Sequence, residues 1–161
     1  MNYITIIVNE LLFLAWKQKK ISTDFMINTE IQIRVRYGET DRMGFVYYGN
    51  YATYFEVARV ESLREMGINY RDMEDQGISL PVSEYKIKYI KPAFYDDQLT
   101  IKTQVREMPG VRIKFNYETY NQDGVLLNVS ETTLVFVDIK SMKPCLIPDF
   151  VKEKLQPYFP A

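Results

Sequence analysis

The chain has 161 residues, 47% of them hydrophobic, with 20 basic and 21 acidic residues and a net charge of −1. That is enough apolar material for one domain, and so balanced a charge argues against nucleic acid or an anionic membrane surface as partner. The absence of histidine excludes Ser-His-Asp triads, Cys-His pairs and histidine-bearing zinc sites, which leaves acid–base work to carboxylates, tyrosines, lysines or backbone amides.

Residues 1–25 differ from the rest and read as an N-terminal extension, either an accessory helix or an over-called start, ahead of a single domain at 26–161. The apolar run Ile4–Trp16 is broken by Asn9 and Glu10 and is too short to span a bilayer. Lys17, Lys19 and Lys20 follow that run, whereas a secretory signal has its charge first. The lone Cys145 excludes an intrachain disulfide and fits a reducing compartment, so a cytoplasmic protein is expected.

Ile31–Tyr37 alternates, with Ile31, Ile33, Val35 and Tyr37 on one face, and predicts a half-buried strand. Gly38–Gly44 reads as a loop. From Asn50, a candidate N-cap, the period becomes helical, and Tyr51, Phe55, Ala58, Ser62 and Met66 share one side up to a stop at Gly67. A polar connector over 69–77 has helical character. Strands follow: 84–89 with Tyr85, Ile87 and Tyr89 on one face, 99–105 with Leu99, Ile101, Thr103 and Val105, and 111–120 with Val111, Ile113, Phe115, Tyr117 and Thr119. Met108–Gly110 and Asn121–Gly124 are hairpin signals. Val125–Asp138 is the longest strand candidate, and Asp149–Leu155 a short closing helix. One strand, one long helix and four strands joined largely by tight turns predict an α+β fold, with a five-stranded antiparallel sheet packed on that helix.

The stretch Thr40–Met66 holds the candidate chemistry. Asp41, in a turn ahead of the helix, is either a general base or nucleophile, or an acid that merely bonds its own turn. Backbone N–H groups near Tyr48, Gly49 and Asn50 precede the first helical turn, where an orphan donor and the helix dipole can stabilise an oxyanion. Gly49 would admit a substrate close to the backbone, and Tyr47, Tyr48, Tyr51 and Tyr54 read as packing and pocket lining. Glu56 and Arg59 are helical i,i+3 neighbours and read as a salt bridge or subunit contact, with Glu56 the alternative carboxylate. Lys86, Lys88 and Lys91 read as a solvated face.

The run Thr40-Asp41-x-x-Gly44-x-Val46-Tyr47-Tyr48-x-Asn50-Tyr51, then Tyr54-Phe55-Glu56-x-Ala58-Arg59 and Pro92-Ala93-x-Tyr95-Asp96-Asp97-x-Leu99, resembles the 4-hydroxybenzoyl-CoA thioesterase-like (YbgC/FadM) family of hotdog proteins. The resemblance spans about 30–148. It implies a hotdog fold, in which the sheet wraps one long central helix, and an acyl-CoA thioesterase working without metal or cofactor as a homodimer or homotetramer with interface active sites. It further implies Asp41 as general base or nucleophile and the Tyr48 backbone amide as polariser of the thioester carbonyl; Gly49, Asn50 and Tyr51, at the helix start beside them, are the expected substrate contacts. Many YbgC-type members carry histidine at the position of Tyr48, and no basic residues around 108–112 match those that hold the CoA phosphates. An acyl-carrier-protein thioesterase and a non-catalytic acyl-CoA-binding dimer are the alternatives.

Overall fold

A computed structural model describes residues 26–159. The predicted extension, 1–25, lies outside the described residues. The main sheet has five antiparallel strands in the order β1-β4-β5-β6-β3. These are β1 (Ile27–Arg34), β3 (Val82–Tyr89), β4 (Gln98–Val105), β5 (Arg112–Tyr120) and β6 (Leu126–Val135). Two-residue alternation appears directly as burial: Leu99, Ile101, Thr103 and Val105 on β4, and Ile113, Phe115, Tyr117 and Thr119 on β5, are all at most 1% exposed. The β5–β6 hairpin closes as predicted over Asn121–Gly124. The Asn121 Oδ1 accepts the N–H groups of Asp123 and Val125, and Gly124 takes φ +71°.

The predicted long helix is α1 (Asn50–Glu65), whose buried side carries Tyr51, Phe55, Ala58 and Ser62 together with Tyr54, Arg59 and Leu63. It packs on the sheet through aromatic rings. Phe55 stacks on Tyr117 at 4.5 Å between centroids, while Tyr51 meets Tyr89 and Phe55 meets Tyr85. Its end is a Schellman motif, in which Gly67 N–H donates to Arg64 O, Ile68 N–H donates to Leu63 O, and Gly67 sits at φ +74°. The connector forms α2 (Tyr70–Asp75), and α3 (Asp149–Leu155) is the closing helix.

Three expectations are corrected. First, the opening strand is shifted. β1 ends at Arg34 because its partner β4 begins at Gln98, and Val35 N–H turns to Asp97 O instead. Tyr37, expected on the buried face, begins a 3-10 turn (Tyr37–Glu39) and is 81% exposed. Second, Asn50 does not cap α1. It is the first helical residue, Gly49 holds the cap position, and no side chain caps the helix. Third, 125–138 is not one strand. β6 pairs with β3 up to Val82, and Pro81, with no N–H to extend a ladder, separates β3 from β2 (Ile78–Ser79). The end of the run therefore becomes β7 (Val137–Asp138), which joins β2 and β8 (Lys143–Pro144) in a small second sheet absent from the sequence reading. No helix among the described residues is long and apolar enough to cross a membrane.

Candidate active site

The loop between β1 and α1 folds back as a small hairpin. Thr40 bridges Val46 and Phe45 bridges Phe94, while Asp41 N–H donates to Phe45 O at 3.0 Å and Gly44 N–H to Asp41 O at 2.9 Å. Gly44 takes φ +85°, a conformation that glycine adopts without steric cost. Val46 N–H donates to Ala93 O, which fastens this hairpin to the segment leaving β3.

Beside it opens a cleft of about 360 Å³. Its polar members are Asp41 and Lys91, its aromatic wall is Tyr48, Tyr51 and Tyr89, and Met43, Phe45, Val46, Ile90 and Pro92 make the rest apolar. One Asp41 oxygen, Oδ1, accepts Met43 N–H at 2.8 Å. Asp41 therefore does bond its own turn, as a turn acid should, but among the described residues Oδ2 has no hydrogen-bond partner. Tyr48 lines the same cleft, and among the described residues neither its main-chain N–H nor that of Gly49 has an acceptor. Both lie at the positive end of the α1 dipole. Tyr89 Oη donates to Tyr48 O at 3.2 Å and holds that stretch of backbone against the sheet edge.

Two phenols of the cleft, Tyr51 and Tyr89, are held in their protonated form. Burial, helped by the charges of Tyr89 and Asp97, pushes the Tyr51 hydroxyl up to about 12, and burial raises that of Tyr89 as well. Among the described residues Asp41 is the one carboxylate lining the cleft.

The sequence-predicted residues are thus only partly brought together. Asp41, Tyr48 and Tyr51 share the cleft; Gly49 and Asn50 do not line it. A Cβ on Gly49 would meet the Tyr47 ring at 2.8 Å, so the glycine makes room for that ring. The Asn50 side chain is turned inward, its Nδ2 donating to Glu39 O at 2.6 Å. Its N–H, expected to be an orphan donor, bonds Tyr47 O. Glu56, the alternative carboxylate, lies outside the cleft, 65% exposed and 3.9 Å from Arg59. Lys86 and Lys88 line a separate groove on the opposite face of the sheet, where Lys86 pairs with Glu84 and Glu131; Lys91 alone of the three belongs to the cleft. Tyr89 and Glu39 were missed. Tyr89 was visible as an alternating strand residue, but nothing local marks its bond to Tyr48.

A sequence model of the thioesterase-like superfamily matches residues 35–155. This chain belongs to that superfamily. Acyl-CoA thioester hydrolase YbgC of Escherichia coli is 34% identical over 116 residues, 72% of this chain and 87% of that protein. Among solved structures, a DHNA-CoA thioesterase from Staphylococcus aureus is 37% identical with a TM-score of 0.75, covering 81% of this chain and 91% of that one. A 4-hydroxybenzoyl CoA thioesterase variant in complex with 4-hydroxybenzoyl CoA, 22% identical with a TM-score of 0.72, shares the fold. The α+β hotdog class expected from the sequence is the class of these neighbours.

Proposed function

We propose that this protein is an acyl-CoA thioesterase, hydrolysing its substrate at the Asp41–Tyr48 cleft to a free acid and coenzyme A. The observation that carries the reading is one cleft lined by a carboxylate with an unengaged oxygen and by a residue whose main-chain N–H has no acceptor. Acyl transfer needs a nucleophile or base at the carbonyl carbon and a donor at the carbonyl oxygen. As general base, Asp41 takes a proton from water while the water oxygen bonds to the carbonyl carbon. As nucleophile, its own oxygen forms that bond, and water then hydrolyses the mixed anhydride. In either route the carbonyl electron pair moves onto oxygen, where the Tyr48 N–H and the helix terminus stabilise it. The oxyanion then collapses, the C–S bond breaks, and coenzyme A leaves as a thiolate, which takes up the proton that Asp41 accepted in the first route and the one released by the hydrolysing water in the second. Neither route calls for a metal or cofactor, and coenzyme A is part of the substrate. The similarity to YbgC of Escherichia coli and to the staphylococcal DHNA-CoA thioesterase supports CoA as the carrier.

The working unit in this reading is a homodimer, or a homotetramer made of two such dimers, in the cytoplasm, with each cleft at a subunit junction. Support comes from β3, a sheet edge with Val82, Tyr85 and Tyr89 each 39–46% exposed, which leads into the cleft through Ile90–Pro92. Thiol release from a panel of aliphatic and aromatic acyl-CoAs, compared with acyl-carrier-protein substrates and repeated in EDTA, tests the activity. Hydrolysis of at least one acyl-CoA, unchanged by EDTA, is expected. Tight acyl-CoA binding without thiol release would replace the enzyme with a binding protein. Light scattering on the eluting protein tests the assembly, and a monomer would sink it.

A further inference from the structure

We infer that Glu39 is a positioning residue of this site, a clamp that holds Asp41 and the Tyr48 amide at a fixed separation; the inference rests on the thioesterase reading. Asp41 lies on the outgoing arm of the 40–46 hairpin and Tyr48 just past its returning arm, and the arms are tied by Asp41 N–H to Phe45 O and Tyr47 N–H to Glu39 O, the two bonds of the Thr40–Val46 bridge. Glu39 stands at the base of the hairpin and bonds to every element that meets there. Its carboxylate Oε2 accepts Arg36 N–H at 2.7 Å, at the exit from β1, and Tyr54 Oη–H at 2.7 Å, in the second turn of α1. Its main-chain oxygen accepts Tyr47 N–H at 2.9 Å, on the returning arm next to Tyr48, and Asn50 Nδ2 at 2.6 Å, at the helix start.

The two main-chain bonds place the residue before Tyr48 and the residue two after it whatever side chain stands at 39, and the two carboxylate bonds, the ones that Glu39→Gln weakens, tie the chain three residues before Glu39 to the helix. Asp41 lies two residues beyond. The carboxylate is mostly buried, 17% exposed, and Tyr54 is 2% exposed. Bonds to a charged, sheltered acceptor are stronger and more directional than bonds made in water. Glu39 is absent from the cleft lining. Its effect on chemistry therefore passes through geometry, and small displacements of reacting groups are costly in rate.

The experiment is steady-state acyl-CoA hydrolysis by wild type, Glu39→Gln, Tyr54→Phe and Asp41→Asn, normalised to folded protein, with pH–rate profiles and thermal unfolding. A positioning role predicts a kcat loss of about tenfold or more for Glu39→Gln and a smaller loss for Tyr54→Phe, KM within about threefold, and an acid limb at the wild-type pH. Tyr54→Phe removes one clamp bond without removing charge, which keeps the test open where Glu39→Gln fails to fold. Activity per folded molecule within about twofold of wild type in both variants overturns the clamp. So does a loss that merely follows the fraction unfolded. A Glu39→Gln variant as dead as Asp41→Asn, with the acid limb gone, also overturns it, because Glu39 would then be the catalytic carboxylate. Wild type inactive on every acyl-CoA removes the thioesterase reading and the clamp with it, whereas active wild type with unaffected variants removes the clamp alone.

Discussion

Asp41 and Glu56 stand fifteen positions apart in the stretch Thr40–Met66, yet their surroundings differ in every respect that matters for chemistry. Asp41 lines a cleft of mainly apolar and aromatic character, with one oxygen anchored by Met43 N–H. Glu56 stands 65% exposed on α1, facing a guanidinium 3.9 Å away. A carboxylate in water beside a cation is solvated and partly neutralised. One held by a single backbone bond at the wall of an apolar cleft keeps an oxygen for a substrate or a water. The helix that carries Glu56 works mainly through packing, and the loop that carries Asp41 buries little.

The contrast breaks first on activity. Asp41→Asn should lower kcat by about a thousandfold or more, the scale of losing a base or nucleophile together with its proton acceptor. Its thermal midpoint should stay near that of wild type, because the amide oxygen still accepts Met43 N–H. Glu56→Gln should leave kcat within about threefold. Thiol release by both variants is the measurement, and a reversed ranking would move the chemistry to the helix.

The next largest effect belongs to the packing region. Phe55 is fully buried, stacked on Tyr117 and in contact with the Tyr51 and Tyr85 rings. Phe55→Ala should cost about 3–5 kcal/mol of stability, from lost transfer energy and the cavity left behind. Denaturant unfolding reads it. A cost below about 1 kcal/mol would mean the helix is not the element that the sheet packs against.

The two regions were not equally legible in the sequence. Strand alternation encodes burial directly, so the buried faces at 99–105 and 113–119 and the Asn121–Gly124 hairpin could be read residue by residue. The turn at Asp41 was equally visible, but its assignment as the reacting carboxylate came from a motif resemblance, because a turn acid and a catalytic acid look alike in one sequence. Glu39 left no signal: its partners lie three, eight, eleven and fifteen residues away and obey no period. Asn50 and Gly49 were read as substrate contacts because they flank a helix start, whereas tertiary contacts with Glu39 and Tyr47 take up both. The break between β6 and β7 is set by Pro81, between β2 and β3, which no property of 125–138 could reveal.

Alkaline titration gives a smaller effect that again separates the regions. The Tyr51 hydroxyl, ordinarily near 10.0, is pushed up to about 12 by burial. Between those values the folded chain holds a proton that the unfolded chain has lost. The stabilisation is complete below about pH 10 and disappears as pH rises through about 12, amounting to about 2 kcal/mol for this group. Tyr51→Phe should flatten that part of the pH–stability curve. An unchanged slope between pH 10 and 12 would mean that the ring is open to water.

Arg59 carries the smallest expected effect and the sharpest test of the packing side. The residue is 9% exposed, and among the described residues its Nε has no partner, nor have two nearby buried hydroxyls, Ser62 Oγ on α1 and Tyr70 Oη on α2. Tyr70 is pushed up by burial while the Arg59 charge pulls it down, which puts the two groups in one environment. Removing a guanidinium from water is costly, and a single carboxylate at 3.9 Å on the exposed side repays little of that. Methionine has a similar reach without the charge. In a monomer, then, Arg59→Met should be neutral or stabilising by up to about 1–2 kcal/mol, with activity retained. Equilibrium unfolding at two protein concentrations decides the case. A loss of more than about 2 kcal/mol that deepens on dilution would mean that a second copy supplies the acceptor missing here, making Glu56–Arg59 part of the subunit junction.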